Sequence, residues 1–154
     1  MDVPTSQSLP GHAMLSRAMR DIRRERRLRA VDVAERMGMP LRSYEHFESG
    51  RGKLSLERLF AFAEATRSDP FALVAAMLLG SPEFAQRCAD NKLMQVAILS
   101  LKELNEELGD DLVYLETGKL IGGFTRLVKE LVQDVRGRDT FAEQWLADRK
   151  PGKW

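Results

Sequence analysis

The reading of the fold turns on Val33-Ala34-Glu35-Arg36-Met37-Gly38-Met39-Pro40-Leu41-Arg42-Ser43-Tyr44-Glu45-His46-Phe47-Glu48-Ser49-Gly50. Ala34 is small enough to let two helices cross closely, and Gly38 supplies the left-handed residue that ends one helix. Pro40 suits the start of the next, because the N–H it lacks has no partner there. Tyr44 and Phe47 stand three apart, on one face of that helix. Glu48 and Gly50 close its end. The spacing predicts a helix over 30–37, a glycine turn, and a second helix over 41–48.

Working outward, Met14, Leu15, Ala18, Met19 and Ile22 recur at helical spacing and predict a helix from Met14 to about Arg26. Downstream, Ser55 reads as an N-cap for Leu56 to Thr66, with Leu56, Leu59, Phe60, Phe62 and Ala63 as its apolar face. Asp69-Pro70 and Ser81-Pro82 are two further cap-plus-proline starts, opening helices at Phe71–Leu79 and Glu83–Ala89. No two-residue alternation is long enough for a strand, so the fold class is all-α. Five short helices within residues 14–80 form one compact domain. Met1 to His12, with Pro4 and Pro10, reads as a flexible arm.

The second half is helical in another style. Leu93, Ala97, Leu101, Leu104 and Leu108 make one stripe, with Met94 and Ile98 beside it. Gly109 and Asp110-Asp111 make a break and the next cap. Leu120, Phe124, Leu127, Leu131 and Val135 make a second stripe, followed by a short helix from Phe141 to Ala147. Such stripes must pack on each other, on the first domain, or on a second subunit.

Composition sets the bounds. The 154 residues are 44 % hydrophobic and 31 % charged, which excludes a disordered or collagen-like chain. The lone Cys88 permits no intrachain disulfide and suits a reducing cytoplasm. The apolar run Phe71–Leu79 is about half the ~20 residues a membrane span needs, and Met1 to His12 lacks the features of a signal peptide. The expected location is the cytoplasm. The net charge of +1 hides an asymmetry. Residues 14–80 carry 13 basic and 9 acidic side chains, net +4, whereas residues 81–154 are net −2. Six arginines crowd the ten residues from Arg20 to Arg29. An arginine-rich helix end is suited to phosphate oxygens; a solvated face neutralised by Asp21 and Glu25 is the plainer alternative.

An apolar residue and Ala at 33–34, Gly38, Tyr44, then Phe47-Glu48-Ser49-Gly50 together resemble the Xre/lambda-repressor-like (Cro-type) helix-turn-helix family of transcriptional regulators. The resemblance covers about Met14 to Leu79. It makes residues 14–80 a helix-turn-helix DNA-binding domain, and beside it the composition and the apolar stripes predict a flexible arm at 1–13 and a helical C-terminal dimerisation region at 81–154. The resemblance also implies that the helix from Leu41 to Glu48 lies in the major groove, with paired subunits reading two half-sites. By position, Leu41, Arg42, Glu45 and His46 face bases. Arg42 can fork onto guanine O6 and N7, and Leu41 can pack on a thymine methyl. Phosphate contacts map onto Arg29, Ala30, Ser43, Ser49, Arg51 and Lys53, and a structural ion pair onto Arg23 and Glu48. The chain departs from the family pattern at Ala30, where Gln is frequent, and at Leu41, where a polar residue is frequent.

Two histidines, one cysteine and no carboxylate cluster around them offer neither a metal site nor a nucleophile–base set. No cofactor and no enzymatic activity are expected. Gly118-Lys119-Leu120-Ile121-Gly122-Gly123 lacks the order of a phosphate-binding loop and follows no strand. The helical second half also argues against the strand-rich self-cleaving domain that some phage-type repressors carry. The expected function is a sequence-specific, homodimeric DNA-binding regulator, acting as a repressor. Its partners are double-stranded DNA and a second copy held through residues 90–148, with polymerase or a toxin-like protein as further candidates. The alternative is an antitoxin or anti-repressor-like module whose helical C-terminal region sequesters a partner protein; Ala30 and Leu41 are its best support.

Overall fold

The computed structural model describes residues 10–149, in which every regular element is a helix. They are α1 (Pro10–Glu25), α2 (Ala30–Arg36), α3 (Leu41–Glu48), α4 (Leu56–Thr66), α5 (Pro70–Leu79), α6 (Pro82–Arg87), α7 (Leu93–Leu108), a 3-10 segment (Gly109–Tyr114) and α8 (Thr117–Asp148). Residues 1–9 of the expected arm lie outside the described residues. Its last part, from Pro10, is already helix, so α1 begins before the first apolar position of the stripe.

The chain divides into two units, Met1–Leu104 and Asn105–Trp154. In the first, α1 packs against α5 and α6, α2 against α3 and α4, and α4 against α5. The α1 face Leu15, Ala18, Met19, Ile22 is fully inside, together with Val33, Tyr44, Leu59, Phe62 and Leu73. Each large apolar side chain so buried contributes roughly 1.5–3 kcal/mol. Ala34 is buried where α2 crosses, and the Tyr44 and Phe47 rings meet at 6.4 Å, tilted. The expected inward face of α4 is corrected at two positions. Leu56 and Phe60 are exposed, and Ala65 and Thr66 are buried in addition to Leu59, Phe62 and Ala63. Phe60 instead meets the edge of Phe71 at 5.3 Å on the outer flank.

Caps follow the local chemistry. Ser55 Oγ accepts from Arg58 N at 3.2 Å. Asp69, buried, accepts from Phe71 N and Ala72 N at the start of α5 and from Gln95 N of α7 at 3.0 Å. One carboxylate thereby fastens α7 to the end of α4 and the start of α5. Ser81 makes no such side-chain bond, so its expected cap rests on Pro82 alone.

In the second unit the break at Gly109 is real, with φ +52°, but Asp110 and Asp111 sit in the 3-10 segment and do not cap α8. Glu116 precedes α8 instead. The short helix expected at Phe141–Ala147 is no separate element: α8 runs unbroken to Asp148. None of its apolar side chains is buried; Leu127 is 47 % exposed and Leu131 45 %. α8 also contains Gly118, Gly122, Gly123 and Gly137, each costing about 1 kcal/mol relative to alanine. A lone helix with that composition is marginal in water.

Candidate nucleic-acid interface

α2 and α3 are held in a fixed crossing by their inward residues, which leaves the outer side of α3 to solvent. Gly38, at φ +67°, makes the turn between them, and Met39 N donates to Ala34 O at 3.0 Å. Arg42, Ser43, Glu45, His46, Ser49 and Arg51 line one open groove of about 650 Å³ with Pro40. Leu41 stands 40 % exposed beside it. No hydrogen bond or ion pair engages the side chains of Arg42, Glu45, His46 or Arg51 within the described residues. Ser49 Oγ donates to His46 O at 2.7 Å, which closes the last turn of α3.

The Arg23–Glu48 pair forms as the resemblance implies. Arg23 Nε donates to Glu48 Oε1 at 2.8 Å, and its Nη1 donates to Leu28 O at 3.2 Å. Burial works to lower the Arg23 pKa, but the bond and charge of Glu48 outweigh it and raise it overall. Burial likewise pushes the Tyr44 phenol up, with the Glu48 carboxylate adding to the effect. The Tyr44 hydroxyl is buried beside this pair and finds no hydrogen-bond partner among the described residues.

The arginine run turns out to be largely internal fastening. Arg26 donates to Thr66 O and Arg67 O, each at 2.9 Å, and to Asp90 Oδ1 at 2.6 Å. It therefore satisfies carbonyls at the end of α4, where the chain turns left-handed at Arg67. Arg20 donates to Ser16 Oγ, and outside the run Arg36 donates to Ala65 O. Arg29 precedes α2 with its guanidinium on Asp32 at 2.9 and 3.1 Å, which holds the Asp32 carboxyl below its ordinary range. Ala30 is partly buried against the core. Lys53 is exposed and stands outside the groove.

One contact had no signal in the sequence. His12 Nδ1 donates to Gly50 O at 3.2 Å and ties the start of α1 to the loop after α3. Gly50 has φ +76°, and a Cβ there would lie 2.9 Å from His12 O. Gly50→Ala is expected to cost about 2 kcal/mol through left-handed strain and this backbone clash. Thermal unfolding of the variant checks it, and an unchanged midpoint would remove the clasp from the fold's support.

Residues 19–73 match the family model described as Helix-turn-helix, about a third of the chain. The domain they form is a helix-turn-helix domain of the Xre/lambda-repressor-like type, the DNA-binding domain of regulators, and α2–turn–α3 is its motif. No curated protein and no solved structure was found to match the chain. Among the described residues no group of His, Cys, Asp or Glu is placed to hold a metal ion, and no helix is long and apolar enough to cross a membrane.

Proposed function

We propose that the protein is a sequence-specific transcriptional repressor that binds a two-half-site operator as a homodimer, with α3 in the major groove. The observation that carries this reading is the outer face of α3. Arg42, Glu45 and His46 stand exposed and unengaged, whereas most of the arginines of the run at 20–29 are bonded within the fold. Unengaged donors and acceptors on a rigid helix are what base-edge readout requires. Arg42 forks onto a guanine, Glu45 accepts from a cytosine amino group, His46 donates to a guanine acceptor, and Leu41 packs on a thymine methyl. Ser43, Ser49, Arg51 and Lys53 contact the phosphates around them. Arg29 and Ala30 approach phosphate at the start of α2, with Arg29 first exchanging part of its bond to Asp32. The dimer interface lies within residues 90–148, and one bound dimer over a promoter suffices to exclude polymerase.

The test is binding to the DNA upstream of the protein's own gene, against a random duplex, across a salt series. Selective binding with a steep salt slope supports the reading; equal, weak binding to both places the operator elsewhere or favours the protein-binding reading below, and a partner pull-down then decides between them. Arg42→Ala is expected to lose about 1–3 kcal/mol, a 5- to 150-fold change, and to relax preference at one base position. A uniform loss on all sequences would reassign Arg42 to phosphate. The exposure of Leu41 favours one second reading, a protein-binding module whose helical C-terminal region sequesters a toxin-like partner. A toxin-like gene directly adjoining this one, whose product is retained by the protein, would support it.

A further inference from the structure

We propose that α8 pairs antiparallel with α8 of a second copy, about a two-fold axis at the level of Arg136, with Arg138 of each copy set against Asp134 of the other. The inference rests on the homodimer reading above and assigns its orientation and register.

The pattern is on the helix itself. Leu-Ile-x-x-Phe at 120–124, Leu-Val-x-x-Leu at 127–131 and Phe-Ala-x-x-Trp at 141–145 repeat with a period of seven. The apolar side chains of these repeats are exposed: Phe124 is 54 % exposed, Phe141 72 % and Trp145 48 %. A seven-residue repeat of this kind is the signature of a helix that covers its stripe with another helix. At 134–138 the same frame reads Asp-Val-x-x-Arg, so Asp134 stands where the other repeats have Leu or Phe, and Arg138 where they have Phe, Leu or Trp. Both are exposed, and no ion pair joins them within the described residues.

A guanidinium in the middle of an apolar stripe has a strong requirement. Once covered, it needs a carboxylate opposite, or the covering costs several kcal/mol. A parallel, in-register pair would place Arg138 against Arg138 of the second copy, like charge on like charge. An antiparallel pair with its axis at Arg136 places each Arg138 opposite an Asp134, twice over by symmetry. The same register sets Leu131 opposite Phe141 and Leu127 opposite Trp145. The strip thus carries both halves of its own complement, which makes a second copy the occupant. A single polar site within such a seam fixes register and orientation at some expense of stability.

The test uses the full chain. Sedimentation first gives the mass, and a dimer is expected. Asp134→Arg and Arg138→Asp should each weaken that dimer at least tenfold, and an equimolar mixture of the two variants should restore it as a heterodimer. No pairing within one helix can produce that rescue. Spin labels at Lys119→Cys, in a Cys88→Ala background, should then lie about 50 Å apart, from 34 residues at 1.5 Å each. Labels within about 20 Å of each other would mean a parallel pair and overturn the inference while leaving the homodimer intact. Charge reversals without effect on a dimer would likewise overturn it alone. A chain that stays monomeric at every concentration would overturn the homodimer reading as well.

Discussion

Glu48→Ala is expected to destabilise the N-terminal unit by about 3 kcal/mol, at the low end for breaking a buried pair. Arg23 and Glu48 side chains are 16 % and 9 % exposed, so the alanine variant leaves a guanidinium largely out of water without its carboxylate. The remaining bond to Leu28 O and partial water access keep the loss from the upper end. For a unit of about 100 residues this is a drop of roughly 15 °C in unfolding midpoint. Glu48→Gln keeps an acceptor for Arg23 Nε and should lose about 1 kcal/mol. Urea unfolding of the three proteins measures both. A Glu48→Ala midpoint within error of the parent would show that α1 and α3 are locked by packing alone.

The second large effect concerns the apolar face of α8. Leu127→Asp combined with Leu131→Asp should leave the N-terminal unit as stable as before, because neither side chain belongs to its core. Covering two unpaired carboxylates in an apolar seam costs several kcal/mol, more than a helix pair of this length can offset. The variant should sediment as a monomer. Its operator affinity should fall by about 10²–10⁴, the usual gain from joining two half-site contacts in one particle. A variant that remains dimeric would move the interface off α8, and one that is monomeric yet binds undiminished would show that a single domain suffices.

The helix-turn-helix was legible because each of its positions has a local cause. Gly38 supplies a left-handed turn, Pro40 starts a helix, and Tyr44 with Phe47 defines the inward face. The core of α1 was equally plain from its spacing. Leu56 and Phe60 misled because apolar character does not say which of two adjacent arcs of α4 meets α5. The arginine run left two readings open, a phosphate surface or a solvated face, and Arg26 follows neither: it reaches the carbonyls of Thr66 and Arg67, some forty residues away. Only the tertiary fold brings those partners within range. The continuity of α8 through four glycines had no local sign either, since each glycine alone suggests a break.

The bond between His12 and Gly50 has a consequence for the state of the imidazole. A carbonyl oxygen can only accept, so Nδ1 must carry the proton, and the neutral ring is held in that tautomer. That leaves Nε2, across the ring, as the acceptor, and the histidine acts here as a hinge pin that joins the start of α1 to the loop carrying Arg51.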